Sequence, residues 1–229
     1  GVAPTAPTIG VGSYAICQGS TVPGGEGLTA TCAPIARTIS VPFTSGIISE
    51  GTTLTNRGNV TVPALPGGAV VTAARLKLFN VVAATGAQRQ NLRLALSGAY
   101  ALAELQVTTQ TGAGTITPDP IINLPGFPSG GGTINILTRQ TTNGTPNPDI
   151  TFRSATIEVD FTLPSNLGWY TAPAAGTLVN SSSIFDPVGA AVVNNNTPGT
   201  TAFHASCAFA ACESVRMPTS FSVSGTPTT

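Results

Sequence analysis

Charge is what this sequence has least of. Only 8% of its 229 residues are Asp, Glu, Lys or Arg, nine acidic against nine basic, for a formal net charge of zero. A soluble domain ordinarily carries about 25%, so most of the repulsion that keeps copies apart is missing here. Nine basic residues cannot displace many phosphate counterions, which excludes a nucleic-acid binder. No apolar run approaches the roughly 18 to 20 residues of a membrane-spanning helix. Aromatics make up 6%, with one Trp, and there is a single His.

Catalytic groups are correspondingly sparse. Glu158 and Asp160 form an i, i+2 pair, the spacing that can present two carboxylates to a sugar. The residues around them alternate, however, so both acids fall on the solvated face of a strand and read as polar surface. His204 lies close to Ser206 and Cys207, but a triad is made by geometry rather than adjacency, and Cys207 is expected to be oxidised. Asp119, Asp149 and Asp186 each neighbour a proline and show no calcium-loop spacing. The Gly-rich stretches contain no phosphate-binding loop, and neither cysteine pair has the CxxC spacing of a zinc site. The expectation is a protein that is not an enzyme and uses no cofactor or metal.

What is present points to strands. Gly (26) and Pro (19) are abundant, which disfavours long helices, while 41% hydrophobic residues suffice for a core. Alternation of period two recurs along the chain. It is clearest over residues 155–163, where Ala155, Ile157, Val159, Phe161 and Leu163 share one face. Residues 39–43 form another strand, pushed toward a sheet edge by Pro42. Residues 74–79 and 91–96 are read as a hairpin joined around Gly86. Weaker strands are expected at 59–62, 133–138, 150–152, 189–193, 201–203 and 220–224, and a helical turn at 98–106. Turn clusters such as Pro66-Gly67-Gly68 separate them. The fold class is therefore all-β, a jelly roll or related antiparallel β-sandwich. Residues 1–12 are expected to form an extended N-terminal arm and 13–229 a single domain.

The four cysteines fall as Cys17 with Cys32 and Cys207 with Cys212. An even count fits an oxidising compartment, and four cysteines allow three connectivities. Pairing of sequence neighbours is favoured because short loops close easily. A loop of about 15 residues contributes roughly 3 kcal/mol in the chain-entropy model. The chain begins at Gly1 rather than Met, as a secreted protein does once its signal peptide is removed. Four sequons, at Asn59, Asn143, Asn180 and Asn195, make glycosylation a weak expectation, since abundant Ser and Thr produce such tripeptides by chance.

With little chemistry visible, the surface itself becomes the clue. Small, uncharged, β-prone outer faces and edges without lysine favour pairing between copies. The expected function is a structural subunit of an extracellular, pilus- or fimbria-like filament or surface assembly, whose partner is a second copy of itself. An arm of residues 1–12 reaches roughly 40 Å. Through Ile9, Val11, Tyr14 and Ile16 it can add a strand to a neighbour, and such a contact repeated head to tail makes a filament. The alternative is a secreted carbohydrate-binding or adhesion domain with Trp169 and Tyr170 as a stacking platform for cell-surface glycans. A viral jelly-roll capsid or spike protein is third.

Overall fold

Wherever apolar and small polar residues alternate over five or more positions, the backbone runs extended. The computed structural model describes residues 3–43, 47–49, 51–142 and 150–225. Among them there is no α-helix, only a 3₁₀ turn at Arg89–Asn91. The chain packs as two compact units, a terminal one (Gly1–Ile35 with Pro164–Thr229) and a middle one (Ala36–Leu163), where the sequence suggests a single domain from residue 13 onward.

In chain order the first elements are β1 (Thr8–Ile9), β2 (Ser13–Cys17) and β3 (Leu28–Thr31). The next are β4 (Ile35–Phe43), β5 (Ile47–Ser49), β6 (Thr55–Val62), β7 (Val70–Phe79), β8 (Val82–Ala83), β9 (Leu92–Gly98) and β10 (Leu102–Gln106). Then come β11 (Gly114–Thr115), β12 (Ile121–Asn123), β13 (Gly132–Gln140), β14 (Ile150–Phe152) and β15 (Ser154–Leu163). The chain closes with β16 (Asn166–Tyr170), β17 (Leu178–Asn180), β18 (Ile184–Phe185), β19 (Gly199–Phe209), β20 (Cys212–Glu213) and β21 (Met217–Ser224).

The middle unit is built on two four-stranded sheets, ordered β12-β7-β15-β4 and β10-β9-β13-β6, with a smaller sheet β11-β8-β14-β5. Pairing is nested: β4 lies beside β15, β6 beside β13, β7 beside β12 and β9 beside β10. The two larger sheets share one apolar core, with Leu76, Leu78, Ile157 and Val159 from one and Val60, Leu94, Leu96, Ile134 and Ile136 from the other. This is a sandwich whose inward residues are the apolar members of each alternation. Pro42 sits in β4, the edge strand of its sheet, the place in a sheet where proline is tolerated.

The terminal unit has a sheet ordered β17-β16-β19-β21-β2, with β2 parallel to β21 and β20 on the end of β19. Its second sheet is β1-β3-β18. The core is aromatic. The Trp169 and Phe185 ring centroids lie 5.4 Å apart, and Phe185 meets Phe203 edge-on at 5.0 Å, a geometry aromatic quadrupoles favour.

Three expectations are corrected. Residues 74–79 and 91–96 do not form a hairpin: β7 pairs β15 and β12, while β9 pairs β13 and β10. Charge explains the choice. A hairpin would bring Arg93 toward Arg75 and Lys77, whereas β15 sets Glu158 directly opposite Arg75, and opposite charges across strands stabilise where like charges do not. Residues 102–106 are strand β10 rather than a helical turn, because pairing of Leu102 with Leu96 and Leu105 with Leu94 outweighs local propensity. Gly98 makes the bend possible at φ 96°, where a Cβ would stand 2.4 Å from the Thr133 carbonyl oxygen. Residues 189–193 are a turn rather than a strand. The Asp186 carboxylate accepts the Val188 N–H at 2.9 Å, and further turn bonds run from Ala190 to Asp186 and from Val192 to Pro187. The Asp-Pro dipeptide is the sequence signal for it.

Candidate assembly surfaces

The disulfide joins Cys32 to Cys207, with Cα atoms 5.7 Å apart at a sequence separation of 175. This overturns both expected pairings. Cys212 lies opposite Phe209 in the β19–β20 pair, so it is diagonal to Cys207. Such diagonals are about 7–8 Å apart, wider than most disulfides span. Cys17 and Cys212 are free, the first exposed and the second half-buried. The bridge ties the first stretch of the terminal unit to the last.

The N-terminal segment lies on its own chain. Thr8 and Ile9 pair with Thr31 and Ala30 of β3, and Ser13–Cys17 runs parallel to β21. Ile16 is buried, Ile9 and Tyr14 pack against the same core, and Tyr14 stacks on Phe221 at 6.0 Å. The Tyr14 hydroxyl donates to Glu26, which pushes its own pKa above the ordinary tyrosine value. Val11 is the member of the predicted arm left exposed.

Trp169 does not offer its ring to a ligand. It is fully buried, and its Nε1–H donates to the Ser182 carbonyl at 2.9 Å. Tyr170 is covered by the Arg216 guanidinium, 3.6 Å above its ring. Arg216 in turn donates to Glu213 Oε1 at 2.6 Å and to the Ala172 carbonyl at 2.9 Å, and the same carboxylate oxygen accepts from Ser206 at 2.6 Å. Arg216, and secondarily Ser206, hold the Glu213 carboxyl below its usual range against the opposing effect of burial. The pair Tyr170 and Trp169 is thus a packing element, and the carbohydrate-platform expectation loses its face. His204 stands opposite Tyr170 and Pro218. Burial, aided by the nearby Arg216 charge, holds it below the usual 6.5. Its Nδ1 is buried without a hydrogen-bond partner. Ser206 is fully buried and donates to a carboxylate rather than to His204, so no nucleophile and base are assembled.

Three acids of the middle unit are likewise paired with its bases. Arg75 reaches Glu158 at 2.7 Å and Asp160 at 2.6 Å, and Lys77 reaches Glu158 at 2.7 Å. Thr38 donates to Asp160 at 2.6 Å. Lys77 holds the Glu158 carboxyl below its usual range, and Thr38 followed by Arg75 does the same for Asp160. The acidic pair is therefore neutralised rather than presented to a substrate. Arg139 and Glu104 form a further pair at 2.6 Å. A groove of about 440 Å³ is lined by residues 71–74 and 123–127, none of them titratable.

The sequons differ in access. Asn59 is exposed on edge strand β6. Asn180 is half-buried and accepts the Ser182 N–H. The Asn195 amide nitrogen, the atom a glycan would need, is already donated to the Ser20 carbonyl at 2.9 Å. Asn143 lies outside the described residues.

The surface feature that sequence periodicity does not reveal is at the sheet edges. Strands β1, β2, β5, β11, β12, β17 and β18 are edges and contain no charged residue. On three of them a large apolar side chain faces water: Ile121 on β12 (59% exposed), Leu178 on β17 (55%) and Ile184 on β18 (42%). These strands are two or three residues long, too short for alternation to mark them. A flat edge with an apolar side chain and no charge is an open template for another strand.

No family model matches the chain, and no curated protein matches it. A solved structure of infectious bursal disease virus, Gx strain, is similar at 15% identity with a TM-score of 0.27. The match covers 63% of this chain and 37% of that one, a likeness too low to bear on function. Among the described residues, no helix is long and apolar enough to cross a membrane, and no group of three or more His, Cys, Asp or Glu is placed to hold a metal ion.

Proposed function

We propose that this protein is a non-catalytic structural subunit that assembles with copies of itself into an extracellular filament or surface assembly. The observation that carries the reading is the set of uncharged edge strands bearing Ile121, Leu178 and Ile184 at the surface. The few charges support it. Four of the nine acids, Glu104, Glu158, Asp160 and Glu213, are spent on Arg139, Arg75, Lys77 and Arg216, so little field remains to hold copies apart. The nested pairing of the middle unit is read as the winding of a jelly roll, an architecture that leaves sheet edges open for lateral contact. In the donor-strand form of the assembly, Thr8–Ile9 of the arm leaves its own β3 and occupies the same position in a neighbour.

Size-exclusion chromatography with negative-stain electron microscopy tests the reading. Long polymers are expected. A monomer that shifts on glycan addition would favour the adhesive reading instead, and closed shells the capsid-like one. Deleting residues 1–12 tests the donor strand: polymerisation is expected to stop, and unchanged polymers would sink the exchange while leaving edge contacts in place.

A further inference from the structure

Of the four cysteines, the fold consumes Cys32 and Cys207 and leaves two thiols that it keeps apart. Cys17 is level with Ser224, and the adjacent Val223 with Gly199, at the first end of β19. Cys212 is level with Phe209, at the last residue of β19. Gly199 and Phe209 are the ends of an 11-residue strand, roughly 33 Å apart at about 3.3 Å per step. A disulfide spans less than about 7 Å between Cα atoms. The two thiols therefore sit at opposite ends of one sheet and cannot meet within a folded chain. Each has access: Cys17 is exposed on edge strand β2, and Cys212 stands three residues from Val215, which is 75% exposed.

We infer that Cys17 of one copy and Cys212 of the next form an intermolecular disulfide that links subunits head to tail. The inference rests on the self-assembly reading and adds a covalent step to it. Two thiols become one disulfide. Their two electrons and two protons pass to a small-molecule disulfide oxidant of the oxidised-glutathione class, which leaves as two thiols. Because the two ends differ, the contact is heterologous and does not close, so it propagates along a line.

The full chain incubated with oxidised glutathione, quenched with iodoacetamide and run on a non-reducing gel is expected to give a ladder that dithiothreitol collapses to monomer. Cys17→Ser alone and Cys212→Ser alone stay monomeric on that gel, and a one-to-one mixture of them gives dimers and nothing larger. Dimers in either single variant would mean like-with-like bridges and overturn the inference, as would a wild-type lane without a ladder. Microscopy of the same samples separates the two levels. Polymers without a ladder overturn only the covalent link, whereas absence of polymers in every sample overturns the reading beneath it.

Discussion

The two units solve the same problem, a stable sandwich with almost no charge, by different means. The middle unit is one continuous stretch, 36–163, with nested strand pairs, an aliphatic core and ion pairs lying across its strands. The terminal unit is assembled from the two chain ends, packs aromatics, and is closed by the Cys32–Cys207 bridge. A unit interrupted by 128 residues has to find its second half across a long loop, and a covalent tie supplies what local sequence cannot. The middle unit shortens that loop itself, since its first and last strands, β4 and β15, are neighbours. The cysteines are separated by 175 positions, of which the middle unit takes 128, leaving a loop of about 47 to be closed when that unit is folded. In the chain-entropy model the bridge then contributes about 4 kcal/mol, against about 5 kcal/mol if the whole chain is open.

This contrast can be broken most forcefully at the bridge. Replacing Cys32 and Cys207 together by Ser is expected to destabilise the terminal unit by about 4 kcal/mol and leave the middle unit folded. The only Trp, Trp169, lies in the terminal core, so its fluorescence reports that unit alone, while hydrogen exchange follows both. A loss of protection in the two units together would show that they are one cooperative body. The converse test is Leu76→Ala in the middle core, expected to cost about 3 kcal/mol. Exchange protection should fall across residues 36–163, with the Trp169 transition unmoved.

Acid sharpens the comparison with a smaller effect. His204 is held below its usual 6.5 in the folded terminal unit, so the unfolded chain binds its proton first as pH falls. Terminal-unit stability is therefore full above about 6.5 and declines below it. Glu104, Glu158 and Asp160 of the middle unit have depressed pKa values. Their contribution is present above the usual carboxylate range and is lost as pH falls through it. Urea midpoints read by Trp169 at pH 8 and pH 5.5 should differ for the wild type and converge for His204→Asn. Equal shifts in both proteins would remove His204 from the account.

How much of this is legible in the sequence follows the same division. Strands β4, β7 and β15 announce themselves by alternation, because each has one more deeply covered face. Strand β16 does not: Gly168 and Trp169 are both buried, and a strand covered on two faces shows no period. The disulfide escapes a reading by spacing because loop-closure entropy grows only slowly with length, so nearness in sequence is a weak guide to nearness in space. Trp169 and Tyr170 read equally well as platform or core from sequence. The Ser182 carbonyl and the Arg216 guanidinium decide it, and neither is a neighbour in sequence. The exposed edges are foreseeable only as a consequence of missing charge, without the residues that line them.

Those residues carry the central claim, and light scattering tests it most directly. Wild-type protein is expected to grow in mass with concentration at neutral pH, and Ile121→Lys/Leu178→Lys/Ile184→Lys is expected to stay monomeric over the same range because three edges gain a charge. Wild-type protein that remains a monomer throughout, or a triple variant that grows as fast as wild type, would contradict it.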